Sequence, residues 1–349
     1  MIGLVLLVAA CSSGADGDEE ASSTPTPRPS ATPATVDEAE EPAEVVLLAR
    51  GDWESGWFQA EIHAQLIRQL GYNVADPTSS ELSPELFYAS VARGDVDLWA
   101  NGWFPHHDLY LESESASGSS IGDAVTIVGE QINGAGVLGF AVNRDWALVN
   151  NIRYIDDISQ NSGLSAQVDI SGNRIGDIIG CDQDWACRET VDELIDANGW
   201  NLEQVSGDYD ELFTAAVDRV DDGTPTLVFM WGPSEYVNEL TPGENVAWLG
   251  MRNPPDGLEP ARLDDDECLA DPCTIGFLNS DIRTVANTEW LDDHPDIAAL
   301  LEVIEIPKAD VAAQNALMAA GEDSDADVER HATDWVVENR DLIEEWLDS

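Results

Sequence analysis

The chain has 349 residues, 43% of them hydrophobic, which is enough for a sizeable core and for more than one domain. Its 69 Asp and Glu against 15 Lys and Arg give a formal net charge of -54, a field that opposes binding to nucleic acid or to an anionic membrane surface and excludes both as main functions. Lys308 is the sole lysine and the acids are scattered along the chain, so the charge reads as a surface adapted to high salt rather than as a docking tail.

Met1 to Ala10 are apolar but too short to span a bilayer, and they end in Val8-Ala9-Ala10-Cys11 followed by two serines. Small residues before a cysteine suit cleavage at Cys11, whose thiol would then carry a diacylglycerol anchor. Residues 1–11 therefore read as a lipoprotein signal. No Lys or Arg precedes the apolar run, so the true start is expected upstream of Met1. From 12 to 44 the chain is Ser, Thr, Pro, Ala and acid, which cannot bury enough surface to fold and reads as a tether.

A folded pattern begins with the apolar run Val45 to Ala49, a strand, followed by Phe58, Ile62, Leu66 and Leu70 at four-residue spacing before Gly71, an amphipathic helix with a glycine stop. Tyr72 to Ala75 predicts a second strand, Ser83-Pro84-Glu85 opens a helix running to Arg93-Gly94, and Val96 to Ala100 predicts another strand. Strands alternating with helices imply a parallel α/β sheet. Gly136 to Val142 and Asp281 to Asn287 read as strands flanking a middle segment with its own strand and helix signals, as if one lobe were inserted into another. From Pro295 onward the pattern is helical, with Ile297, Leu300, Leu301 and Ile304 on one face and a terminal helical pair carrying Val328, Trp335, Val336 and Leu342 to Leu347.

With Cys11 assigned to lipid, four cysteines remain as two close pairs, Cys181 with Cys187 and Cys268 with Cys273. Two disulfides fit a protein outside the cytoplasm. Neither pair has the spacing of a zinc or redox motif and no histidine is close to either, so no metal is expected.

In parallel α/β sheets ligands bind beyond the carboxyl ends of the strands. After Val96 to Ala100 comes Trp103-Phe104-Pro105-His106-His107, and after Thr226 to Met230 comes Trp231-Gly232-Pro233. Proline cannot donate to a ladder, so each Trp-x-Pro is expected to end its strand and leave a tryptophan at the mouth of the sheet. Trp185 lies in the loop that Cys181 and Cys187 would close, just before a helical pattern from Arg188 to Ala197. Of the 12 tryptophans, Trp99, Trp146, Trp200, Trp290, Trp335 and Trp346 fall on element faces and read as core. Three indoles around a cavity suit a cation without N–H donors, because the ring faces attract positive charge while methyl groups still gain apolar burial. A carboxylate at the ligand's other end could be held by the backbone amides of Ala186 and Cys187, which open a helix, and by the ring of His107.

At these residues the chain resembles the substrate-binding proteins of glycine betaine and proline betaine ABC importers, from about Val46 to Leu347. The resemblance is carried by FQAEI at Phe58 to Ile62, LGYNV at Leu70 to Val74, Trp-x-Pro-x-His at Trp103 to His107, GC-x3-WAC at Gly180 to Cys187, the second Trp-x-Pro at Trp231, and VAAQNALM at Val311 to Met318. It implies a two-lobe periplasmic-binding-protein fold of type II, α/β with parallel or mixed sheets and two crossover strands that close on a ligand in the cleft. Lobe one is expected at 45–140 plus 286–349 and lobe two at 141–285. The resemblance also implies an ammonium cage of Trp103, Trp185 and Trp231, with His107 and the amides of Ala186 and Cys187 on the carboxylate. Ala186 stands where the family commonly has glycine. The Cys268 and Cys273 pair is outside the family pattern and is read as structural.

The expected protein is thus a monomeric, extracytoplasmic, lipid-anchored binding protein with no cofactor, delivering a quaternary-ammonium osmolyte, glycine betaine first, to an ABC permease. Choline, carnitine or a sulfonium ligand is the alternative within this class. A secreted hydrolase is the alternative from another class, but the chain has no G-x-S-x-G and no H-E-x-x-H, and His63, His294 and His331 have no evident catalytic partners. A sensory ectodomain is a third alternative, for which a transmembrane helix and a signalling domain would be expected and show no pattern in this sequence, while a sensory role through a bound partner and the same ligand stays open.

Overall fold

The computed structural model describes residues 44–115, 118–261, 263 and 266–349. The signal at 1–11 with Cys11, and the tether up to residue 43, lie outside the described residues. The strands are β1 (Val45–Val46), β2 (Leu48–Gly51), β3 (Asn73–Val74), β4 (Glu81–Leu82), β5 (Leu98–Phe104), β6 (Val125–Asn143), β7 (Gly176–Asp182), β8 (Leu202–Gly207), β9 (Leu227–Gly232), β10 (Val246–Trp248) and β11 (Ser280–Asn287).

The helices follow the periodicity that predicted them. Helix Trp57–Gln69 buries Phe58, Ile62 and Leu66, each contributing about 1.5–3 kcal/mol relative to exposure. The chain then turns at Gly71, whose φ of 102° suits a residue without a Cβ. Helix Pro84–Val91 starts with proline at its first turn, where a missing N–H leaves no bond unmade. The C-terminal segment forms helices Pro295–Val303, Lys308–Ala319, Asp325–Glu338 and Arg340–Leu347, and Asp325–Glu338 packs against Trp57–Gln69.

Among the described residues, nine strands form one mixed sheet in the order β4-β2-β5-β11-β6-β9-β7-β8, with β10 beside β6. The alternation of strands and helices predicted a parallel sheet, and β2 is indeed parallel to β4 and β5, as β7 is to β8 and β9. The centre differs: β11 is antiparallel to β5 and β6, and β6 is antiparallel to β9. The reason is the length of β6. Its residues up to Gly136 pair with β11, whereas Val137 to Val142 pair with β9, so one strand serves both halves of the sheet.

The two Trp-x-Pro segments also differ from expectation in one respect. Trp103 and Trp231 lie inside β5 and β9 rather than beyond them, because the ladder continues to Phe104 and Gly232 and stops at the prolines. Both X–Pro bonds there, Phe104–Pro105 and Gly232–Pro233, are cis.

Candidate ligand-binding site

A cavity of about 70 Å³ lies between the two halves of the sheet, a size for a compact ligand of few heavy atoms. Trp53, Trp103 and His107 line it from the first half, and Trp185, Ala186, Cys187 and Trp231 from the second. The six residues predicted from sequence thus all reach one cavity. In a chain of net charge -54, no acidic residue is among those lining it.

Each indole is oriented by a different device. The ring of Trp103, on β5, packs so closely on β6 that a Cβ at Gly136 would sit 2.7 Å from it, so the glycine is needed there. Its N–H donates to Asn101 Oδ1 at 2.7 Å. Trp231, on β9, pairs across the sheet with Leu138. Its ring meets that of Trp185 edge-on, with centroids 5.2 Å apart and planes at 77°. Trp185 is the residue capping helix Ala186–Asn198, and its N–H donates to Asp52 Oδ1 at 3.1 Å.

Trp53 is a fourth wall that the sequence reading missed. It is buried, lies 5.9 Å from Trp185 at 79°, and donates its N–H to the same Asn101 Oδ1 at 3.2 Å. A signal was available: Asp52-Trp53 directly follows the first apolar strand, so the search of strand ends that found Trp103 and Trp231 would have found it too. Pro84, His106, Leu138 and Phe229 complete the lining. The ring of His106 donates from Nε2 to Leu278 O at 3.0 Å while also touching the cavity.

The polar end is built from His107 and the start of helix Ala186–Asn198. The disulfide Cys181–Cys187 is formed, as is Cys268–Cys273. The first ties the end of β7 to the first turn of this helix, where backbone N–H groups have no intrahelical acceptor and the helix dipole favours an anion. His107 is buried and its Nδ1 accepts from the Trp103 backbone N–H at 3.2 Å. A nitrogen that accepts carries no proton, so the neutral ring has its hydrogen on Nε2. The Tyr88 hydroxyl lies 3.1 Å from the same Nδ1. Burial, with His106 beside it, pushes the His107 ring down to about 3, keeping it neutral across the physiological range.

Three carboxylates that neighbour the cavity tryptophans in sequence or by hydrogen bond do not line the cavity. Desolvation raises Asp52 to about 6 against the opposing hydrogen bond from Trp185, and raises Glu54 to about 7. Glu235, in the turn after Trp231, is buried with neither carboxylate oxygen bonded to a protein partner, and burial pushes it up to about 8. Among the described residues no group of three or more His, Cys, Asp or Glu is placed to hold a metal ion, and no helix is long and apolar enough to cross a membrane.

Comparison with known proteins gives the same answer from sequence and from shape. Residues 44–338 match the family described as the substrate binding domain of the ABC-type glycine betaine transport system. A glycine betaine-binding periplasmic protein of Dickeya dadantii is 30% identical over 294 residues, covering 84% of this chain and 85% of that protein. A glycine betaine/proline betaine-binding periplasmic protein of Escherichia coli is 27% identical over 295 residues, covering 83% and 85%. Lactococcal OpuAC, closed on glycine betaine, superimposes with a TM-score of 0.63 at 15% identity, covering 87% of this chain and 99% of that one. An ABC-transporter choline binding protein in complex with choline gives 0.63 at 16% identity, covering 87% and 91%. At those identities the structural likeness speaks for the fold, the two-lobe α/β class expected from the sequence.

Proposed function

This chain belongs to the family of substrate-binding domains of ABC-type glycine betaine transport systems, and from that premise we propose that it captures glycine betaine in the tryptophan-lined cavity and delivers it to an ABC permease. The observation that carries this reading is the convergence of Trp103, Trp185 and Trp231 with His107, Ala186 and Cys187 on one cavity. A trimethylammonium group has no N–H to satisfy, so indole walls serve it well, whereas a primary ammonium would lose its bonds to water without replacement. Each desolvated ring contact contributes up to about 2 kcal/mol, so three supply much of the roughly 8 kcal/mol that micromolar binding requires.

The ligand carboxylate is assigned to the Nε2–H of His107 and the amides of Ala186 and Cys187. Ala186 in place of glycine leaves the amide available, and helix Ala186–Asn198 begins at that residue. The reading makes the chain a carrier rather than an enzyme. Its lobes are taken as 45–140 plus 286–349 and 141–285, joined through β6 and β11 and closing on the ligand. Attachment to the outer face of the membrane through Cys11 and action as a monomer complete the proposal, and the two disulfides support an oxidising, extracytoplasmic location. Calorimetric titration of glycine betaine, proline betaine, choline, carnitine and a sulfonium analogue tests it: glycine betaine or proline betaine should bind tightest, and binding of none would overturn the reading.

A further inference from the structure

We infer that Asp52 is a positioning residue for the ligand cage: reaching from the turn after β2, it holds the indole of Trp185 on the opposite side of the cleft, so that this wall is fixed in place only once the cleft has closed. The inference rests on the ligand-binding reading above.

Trp185 needs such a partner because of where it sits. It caps helix Ala186–Asn198 in an extended conformation, outside both the helix and the β7 ladder, and its side chain is only half-buried. Its neighbours in its own half, Tyr209 and Trp231, touch it through ring contacts at 5.4 and 5.2 Å, which favour apolar packing but leave the indole N–H unsatisfied. Asp52 supplies the acceptor at 3.1 Å. The charges that bear on Asp52, Asp182 and Glu81, are both acidic, and the Trp185 N–H is the side-chain donor that opposes them.

The seat from which Asp52 reaches is rigid. Its neighbour Trp53 packs on Trp185 at 5.9 Å and is held in turn by Asn101 Oδ1, the atom that also holds Trp103. Gly51 and Gly56 let the Trp53 ring in: a Cβ at either would lie 3.0 or 3.1 Å from it. The pair Asp52-Trp53 therefore meets Trp185 with an acceptor for its N–H and an aromatic face for its ring, linking the wall contributed by one half of the sheet to two walls contributed by the other.

A contact formed only after closure retards ligand escape and leaves encounter untouched. The test is stopped-flow tryptophan fluorescence with glycine betaine on the full chain, comparing wild type with Asp52→Leu, which removes the acceptor, and Asp52→Asn, which keeps an Oδ1. Asp52 lies in the turn after β2, outside the hydrophobic core, so both variants should fold, and thermal melts check this. Losing a hydrogen bond to a charged group should speed dissociation about tenfold in Asp52→Leu with association changed less than about twofold, and Asp52→Asn should stay within about threefold of wild type. Dissociation from Asp52→Leu at the wild-type rate would overturn the inference while leaving the ligand reading intact. Equal losses in Asn and Leu would also overturn it, by assigning the effect to charge. A wild type that binds no quaternary ammonium compound would remove the ligand reading and this inference together.

Discussion

The backbone N–H of Trp103 donates to Nδ1 of His107 at 3.2 Å. One cage wall thereby fixes the tautomer of the residue assigned to the opposite end of the ligand, leaving Nε2–H as the donor. His107→Ala should weaken glycine betaine at least tenfold, since a charge-assisted bond contributes roughly 1.5–3 kcal/mol, and should barely change choline, which has no carboxylate. Because the ring is held down to about 3, the part of the preference for glycine betaine over choline that His107→Ala removes should be constant from pH 5 to pH 8. Titrations of both ligands into both proteins read this, and equal losses for the two ligands would contradict it.

Reduction of Cys181–Cys187 should lower affinity for glycine betaine, because Trp185 and the amides of Ala186 and Cys187 all lie in or beside the segment it closes. Removing Cys268–Cys273, neither of which lines the cavity, should leave affinity unchanged. The pair of variants Cys181→Ser/Cys187→Ser and Cys268→Ser/Cys273→Ser separates the two, and an equal loss in both would refute the assignment.

Stability should fall as pH rises from about 7 to 8.5, above the range in which the buried neutral rings of His63 and His107 oppose the trend because the unfolded chain protonates them. Burial raises Glu235 to about 8 and Glu61 to about 7, above their usual 4.5 in an unfolded chain. Between those limits the folded state binds protons that the unfolded state has released, so stability decreases with rising pH through the window and levels off above about 8. Thermal melts at constant high salt measure the slope, and Glu235→Gln should flatten it. A melting temperature that is constant or rises across this range would show that these carboxyls are not neutral in the folded protein.

How far the sequence carries is clearest at the tryptophans. Trp103 and Trp231 could be found because proline cannot extend a ladder and so marks where each strand must end. Trp185 could be found because two cysteines six positions apart frame it. Trp53 has neither a proline nor a cysteine pair to mark it, only its position just after the first apolar strand, and the room that Gly51 and Gly56 leave for its ring appears only in the packed structure. The same limit applies to β6. Its second half, Gly136 to Val142, reads as a strand, but that its first half continues back to Val125 beside β11 depends on pairing between segments far apart in sequence. The burial of Glu235 is likewise a product of tertiary packing, in a chain where acids are too common for any one of them to stand out.

Replacing Trp103, Trp185 or Trp231 singly by Ala should weaken glycine betaine by about 2 kcal/mol, or about thirtyfold, without unfolding the protein. Trp53→Ala should also weaken binding, since it removes the ring against which Trp185 rests. Circular dichroism alongside calorimetry separates loss of binding from loss of fold, and wild-type affinity in all three cage variants would contradict the assignment.

The central claim is that indole faces hold a positive charge, and one comparison isolates that charge. In 3,3-dimethylbutanoate a carbon replaces the nitrogen of glycine betaine, keeping the methyl groups and the carboxylate while removing the cation. At about 1 M salt the Debye length is about 3 Å, so the field of the whole protein contributes little to the difference. Calorimetric titration of the two compounds should give a gap of at least about hundredfold in favour of glycine betaine, because the apolar burial is shared and only the cation–π attraction is lost. Affinities within about tenfold of each other would show that the cavity recognises shape alone and would contradict the account.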